Sequence, residues 1–199
     1  MAIRFLLIFS SFFLFPLLAL SQSSWELRKV NSGIKIWTAN APGSIFKTCK
    51  AEMTIDADFE KVKKLLMDIN TIAYYYEGVS KVTDIEWIAD NKVQYVLEFD
   101  GSWLDLTTKA KVIRHITPVE VGSYEVRTTL VFSTNPDSDS KPLKGITSLW
   151  ILINAGYGKT FVKHIEHIEL FEKTPTPLTN TEFIESTFTT FTNFRKLLE

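Results

Sequence analysis

The sequence predicts an α+β domain in which one long helix lies against an antiparallel sheet. Three observations point there. Alternating apolar and polar stretches dominate from Val82 to Phe171, and turn residues separate them. One amphipathic segment, TEFIESTFTTFTNFRKLLE, closes the chain. The other helical periodicity is short and falls after the third strand, between Phe59 and Tyr76.

The first 21 residues stand apart from that domain. They place a charge at Arg4, an apolar run from Phe5 to Leu20, and the small pair Ala19 and Ser21 at the spacing for cleavage. This is the layout of a secretory signal peptide cut between Ser21 and Gln22; the alternative is an uncleaved N-terminal anchor. The expected product is a single domain, residues 22–199, exported to a periplasm or secreted. Of the charged residues only Arg4 is lost, so 21 basic and 23 acidic residues remain. Such a balance lacks the basic face that nucleic acid requires. With 45% apolar and 23% charged residues, the composition is that of a globular chain and argues against disorder. A lone cysteine, Cys49, has no partner for an internal disulfide. Its place between Thr48 and Lys50 reads as a buried thiol in a strand.

The elements follow in order. Trp25 to Val30 and Gly33 to Thr38 are strands around the turn Asn31-Ser32-Gly33. A turn at Ala39 to Gly43 leads to a third strand, Phe46 to Ile55. Asp56 then offers a helix N-cap, with Asp58 and Glu60 in the first turn and Phe59, Val62, Leu65, Leu66 and Ile69 on one face. A shorter helical piece covers Thr71 to Tyr76. Val82 to Ile88 turns at Asp90-Asn91 into Val93 to Phe99, and Asp100-Gly101 turns the chain into Trp103 to Ile116. Tyr124 to Phe132, Ile146 to Ile153 and Thr160 to Phe171 complete the meander. Gly156 and Gly158 join two strands, so they read as a hairpin turn and not as a phosphate-binding loop. Thr179 and Glu182 form a capping box for the final helix.

Alternation assigns the inward faces. Tyr95, Leu97 and Phe99 share one face; Leu104, Leu106, Thr108, Ala110 and Val112 share another; Tyr124, Val126, Thr128, Leu130 and Phe132 share a third. Ile146 to Ile153 is apolar on both faces and Thr160 to Phe171 is mixed on both, so neither can be oriented. On the final helix, Phe183, Ile184, Phe188, Phe191, Phe194, Leu197 and Leu198 occupy about half the circumference, with Thr187 near its middle. A hydroxyl there needs a partner. Two readings stay open: a mainly apolar pocket with a few polar groups for a ligand, or a filled core whose threonines bond back to their own helix.

The stretch WELRKVNSGIKIWTANAPGSIFKTCKAEMTIDADFEKVKKLLMD resembles the opening of START domains, the steroidogenic-acute-regulatory-related lipid-transfer family. The shared features are Trp-x-Leu, Gly-Ile-x-Ile-Trp, a Lys-Ala-Glu-x-x-Ile strand, and Asp followed by a helix to Leu-Leu-x-Asp. The resemblance implies a helix-grip fold, a curved antiparallel sheet wrapped around the long C-terminal helix. It also implies a tunnel holding a lipid, fatty acid or sterol-like molecule, with membrane contact during exchange and a monomer sufficient for binding. The implied lining is Tyr95, Leu97, Phe99, Leu104, Leu106, Thr108, Val126, Thr128, Leu130 and Phe132, roofed by Phe183, Thr187, Phe188, Phe191 and Phe194. The loop from Thr134 to Gly145 would lie at the entrance. The chain departs from the family where an Arg-Asp pair is usual: Asp105 is present, the arginine is not.

Two rival chemistries have weaker support. In HIEHIE, residues 164–169, His164 and Glu166 face opposite to His167 and Glu169; the four cannot converge on one ion, and no metal or cofactor is expected. Helix-grip relatives also include cyclases and hydratases, for which Tyr95, His164 and Glu166 are the candidate acid–base residues. A protein-interaction module is a third class, suggested by Tyr74-Tyr75-Tyr76.

Overall fold

Two hairpin turns show how local sequence sets the meander. Ser32 (φ 49°) and Gly33 (φ 76°) are both left-handed, as are Tyr157 (φ 54°) and Gly158 (φ 70°). Each pair is the two-residue loop whose twist matches the right-handed twist of its flanking strands. The glycines at 156 and 158 therefore close a hairpin, as their position between two strands predicts.

The structure is a computed structural model, and it describes residues 25–100, 107–120, 122–134, 143–170 and 176–199. The expected signal segment, Leu104, Leu106 and most of the expected entrance loop lie outside the described residues, and Phe132 is described by its backbone alone. The strands are β1 (Glu26–Asn31), β2 (Ile34–Asn40), β3 (Lys47–Ile55), β4 (Val79–Ala89), β5 (Lys92–Asp100), β6 (Thr107–Glu120), β7 (Ser123–Thr134), β8 (Leu143–Gly156) and β9 (Lys159–Leu170). The helices are α1 (Phe59–Met67), α2 (Ile72–Tyr75) and α3 (Thr176–Lys196), with a 3-10 turn at Ile69–Thr71 before α2.

All the strand pairings are antiparallel, in the spatial order β1-β2-β3-β9-β8-β7-β6-β5-β4. The segment holding α1 and α2 carries the chain from β3 to the far edge, and the meander then returns until β9 pairs with β3. One face of this sheet is buried against the helices: Ile34, Ile36, Ala51, Met53, Val93, Tyr95, Val112, Val126, Trp150 and Val162 all lie in the core. The edge strand β4 is interrupted around Asp84, whose φ is 51°, where the register to β5 shifts. Such a bulge twists an exposed edge away from further pairing.

Two helix starts differ from the expected ones. Helix α1 begins at Phe59 with Asp58 as its N-cap residue, and the Asp58 side chain makes no capping bond. Asp56 instead meets Lys159 at 2.7 Å, an ion pair with the β8–β9 turn that the local pattern could not contain. Helix α3 begins at Thr176, ahead of the expected cap. Pro177 is accommodated because first-turn N–H groups have no partner within a helix. Thr179 is therefore a buried helical residue and not the cap.

Candidate functional site

Register builds the site. On β8, burial falls on Ile146, Ser148, Trp150 and Leu152; on β9, on Val162, His164, Glu166 and Ile168. These two strands, which alternation alone cannot orient, thus bring polar side chains to the core face. The pairings align them with polar residues on other strands. Arg114 of β6 opposes Thr128 of β7, Thr128 opposes Ser148 of β8, and Ser148 opposes Glu166 of β9. Glu166 opposes Cys49 of β3, and Cys49 opposes Thr38 of β2. One row across six strands is therefore polar at every position but Cys49, and buried throughout, within a mainly apolar face. Opposed residues stand about 5 Å apart, so the row is continuous.

Several of its groups lack partners. Arg114 is 3% exposed. Its Nη1 donates to the carbonyl of Leu66 at 2.9 Å and its Nε to the hydroxyl of Thr128 at 3.4 Å. Leu66 lies in the last turn of α1, where a cation is favoured by the helix dipole. Among the described residues no carboxylate forms an ion pair with Arg114. Its Cζ stands 5.5 Å from the ring centroid of Tyr95. Burial disfavours the cation, the phenol groups of Tyr95 and Tyr75 favour it, and the balance holds it charged. Neither hydroxyl reaches hydrogen-bond geometry: Tyr75 Oη, Tyr95 Oη, His164 Nδ1 and Glu166 Oε1 are buried without a partner. A native interior seldom leaves four such atoms together.

Burial sets the charge states. His164 is pushed down to about 3 by desolvation and then by the Arg114 charge, so it is neutral at physiological pH. Its Nε2 lies 2.8 Å from the Ser148 hydroxyl. Glu166 is pushed up to about 8 by desolvation and is chiefly protonated at neutral pH. The row therefore carries one positive charge, on Arg114.

The helix supplies aromatics and hydroxyls above the row. Phe191 stacks on Trp150 at 5.5 Å, Trp150 stacks on His164 at 4.1 Å, and Phe194 meets Tyr75 edge-on at 5.0 Å. Phe183 is buried, while Phe188 is half-buried with the Lys29 ammonium 4.2 Å above its ring. The Thr187 hydroxyl donates to the carbonyl of Phe183 at 2.6 Å, the bond back to its own helix that the sequence allowed as one of two readings. Thr190 reaches elsewhere and accepts the backbone N–H of Glu77 at 3.0 Å.

Of the residues expected to line a cavity, Tyr95, Leu97, Phe99, Thr108, Val126 and Thr128 are buried on the sheet's core face and Leu130 is partly buried. Sequence reasoning missed Arg114, Ser148 and Tyr75. Arg114 continues the parity of Thr108, Ala110 and Val112, and that signal could have found it. Tyr75 is fully buried, whereas its neighbour Tyr74 is exposed. His164 and Glu166 face inward and His167 and Glu169 outward, as strand geometry requires; no metal-binding group of His, Cys, Asp and Glu occurs among the described residues.

The little exposure left inside is unevenly spread. Thr128 keeps 5%, Ser148 6%, Glu166 7% and Leu97 6%, while Tyr75, Tyr95 and Phe191 keep none. Every residue of the polar row is nonetheless buried. A cleft of about 370 Å³ opens nearby, lined by Thr129, Leu130, Ser133, Leu143, Ile146 and His167 among others. It lies where the β7–β8 pairing ends at Thr129 and Thr147, while β7 continues paired to β6.

No protein-family model matches the sequence, and no curated protein is similar to it at a significant level. Solved structures are similar in architecture. A StAR-related lipid transfer protein from Xanthomonas axonopodis superposes with a TM-score of 0.74 at 20% identity, over 87% of this chain and 98% of that one. Human StAR-related lipid transfer protein 5 gives 0.76 at 14% identity, over 89% and 87%. A Streptomyces aromatase/cyclase gives 0.53 at 12% identity, over 76% and 90%. Likeness at such low identity is likeness of fold: the chain has the helix-grip fold of START domains, a curved antiparallel sheet closed by its C-terminal helix.

Proposed function

We propose that this chain binds a lipid or other hydrophobic small molecule between α3 and the concave face of the sheet, as an exported carrier or sensor. The observation that carries the reading is the polar row. A core that only had to be filled gains nothing from a buried arginine, a buried acid and two phenols with unmet hydrogen bonds. A pocket that orients a mainly apolar ligand uses a few such groups within an apolar lining. The backbone of α3 runs closest to β2, β3 and α2, and its aromatic side chains reach across to Trp150 of β8. The printed names of two architectural neighbours, StAR-related lipid transfer proteins, support the same class of ligand.

Turnover in the same cavity is the second reading, and Glu166 favours it: a carboxyl pushed up to about 8 is a proton donor at neutral pH. An aromatase/cyclase shares the fold. His164, pushed down to about 3, is a weak base at neutral pH and so activates the Ser148 hydroxyl, 2.8 Å from its Nε2, poorly. Carriage is therefore the better supported of the two.

Native mass spectrometry of the protein purified from a lipid-containing host tests this. A stoichiometric adduct, identified after extraction as a lipid-class molecule, is expected. An apo mass that stays unchanged on adding fatty acids, sterols and phospholipids would overturn the binding reading.

A further inference from the structure

We propose that the ligand of this cavity ends in a carboxylate, received at its deep end by Arg114 with the hydroxyls of Tyr75 and Tyr95. This rests on the reading that the cavity binds a hydrophobic molecule, and it names the chemistry of that molecule's head.

Arg114 has unmet donors. A guanidinium has five N–H donors; Arg114 uses one well, on Leu66, and one over a long 3.4 Å contact to Thr128. It has no carboxylate partner among the described residues. Burying a cation without a counter-charge is strongly unfavourable, and real interiors supply the counter-charge. Tyr75 and Tyr95 flank the same guanidinium closely enough to favour its charge, yet their hydroxyls fall outside hydrogen-bond geometry to it and have no other partner. Three side chains from α2, β5 and β6 thus offer donors to one place, with no anionic acceptor among the described residues. The buried acid of the row, Glu166, does not serve: its Oε1 is itself unpartnered, and two strands separate it from β6 in the sheet order.

The acceptor that fits is anionic, planar and compact. A carboxylate accepts the parallel N–H pair of a guanidinium and retains lone pairs for two phenols. It must also be terminal. Leu66 at the end of α1 and the rings of Tyr75 and Tyr95 enclose Arg114, and the rest of the polar row, Thr128, Ser148 and Glu166, leads away from it across the sheet. A phosphodiester with substituents on both sides would need room beyond Arg114. A neutral sterol or alcohol would leave the cation uncompensated.

Titrating the purified protein with palmitate, hexadecanol and methyl palmitate, followed by tryptophan fluorescence and native mass spectrometry, tests the assignment. Palmitate is expected to bind at least about tenfold more tightly than either neutral analogue, since hydrogen bonds to a charged group are the strong ones. Arg114→Met should remove most of that preference, and Arg114→Lys, which keeps the charge but not the fork, should fall between. Equal affinity for acid and alcohol in the unaltered protein would overturn the proposal while hydrophobic binding stood; that comparison requires no variant to fold. A preference for acid that survives Arg114→Met in a variant melting cooperatively would overturn it too. If none of the three binds, and sterols and phospholipids also fail, the binding reading falls with it.

Discussion

Replacing Glu166 by glutamine should change how stability depends on pH in a way that no other described residue imitates near neutrality. The folded chain holds the Glu166 proton up to about pH 8, whereas a free carboxyl releases it near 4.5. Between those values the folded state binds more protons than the unfolded one, so stability falls as pH rises. His164 has the opposite sign. It stays neutral down to about 3 when folded but protonates near 6.5 when unfolded, so stability falls as pH drops below 6.5. From about 4.5 to 6.5 the two slopes oppose and cancel. Above 6.5 only Glu166 remains. At about 1.4 kcal/mol per pH unit, the native protein should lose roughly 2 kcal/mol between pH 6.5 and 8, and Glu166→Gln should lose none. Urea unfolding followed by tryptophan fluorescence at about pH 5.5, 6.5 and 8.5 reads this directly, through midpoints at constant slope. If the variant lost as much stability as the native protein over the alkaline interval, or the native protein stayed flat there, Glu166 would not be the buried acid described above.

Two further expectations come from the core. Trp150→Ala removes the ring that Phe191, Phe194, His164 and Tyr75 pack around, and should cost about 3–5 kcal/mol in urea unfolding; a loss below about 1 kcal/mol would contradict that packing. The Cys49 thiol is pushed up to about 12, by burial first and the neighbouring Glu166 second. It should resist a thiol reagent at about pH 8 in the native protein and react on unfolding; prompt reaction without denaturant would show the row open to solvent.

The same buried groups bear on both functional readings. A protonated Glu166, a neutral His164 and a charged Arg114 can orient a ligand without reacting, and a protonated Glu166 can also donate a proton. Ligand identity separates the readings sooner than substitution does. An adduct recovered unchanged speaks for carriage, and recovery of an altered product speaks for turnover.

Much of this protein was readable from local pattern. Alternation along a strand depends only on the strand's own geometry, so Tyr95, Leu97 and Phe99, and Val126 and Thr128, could be assigned inward before any partner was known. Helical periodicity likewise placed Phe183, Phe191 and Phe194 on one side of α3. The hydroxyl of Thr187 was ambiguous from sequence because its partner, the carbonyl of Phe183, is the bond any helical threonine can make. The orientation of β8 and β9 was not readable: Leu149, Ile151, Phe161 and Ile165 offer a second apolar face, so the choice falls to the side on which α3 packs. The polar row is furthest from sequence. Thr38, Cys49, Arg114, Thr128, Ser148 and Glu166 are scattered along the chain and have no common motif. They become neighbours only through the antiparallel registers, including the late pairing of β9 with β3. A register is a long-range property, fixed by the packing of the whole sheet. The sequence therefore determined which side chains could face inward, and the tertiary structure decided which polar groups would meet there and be left without partners.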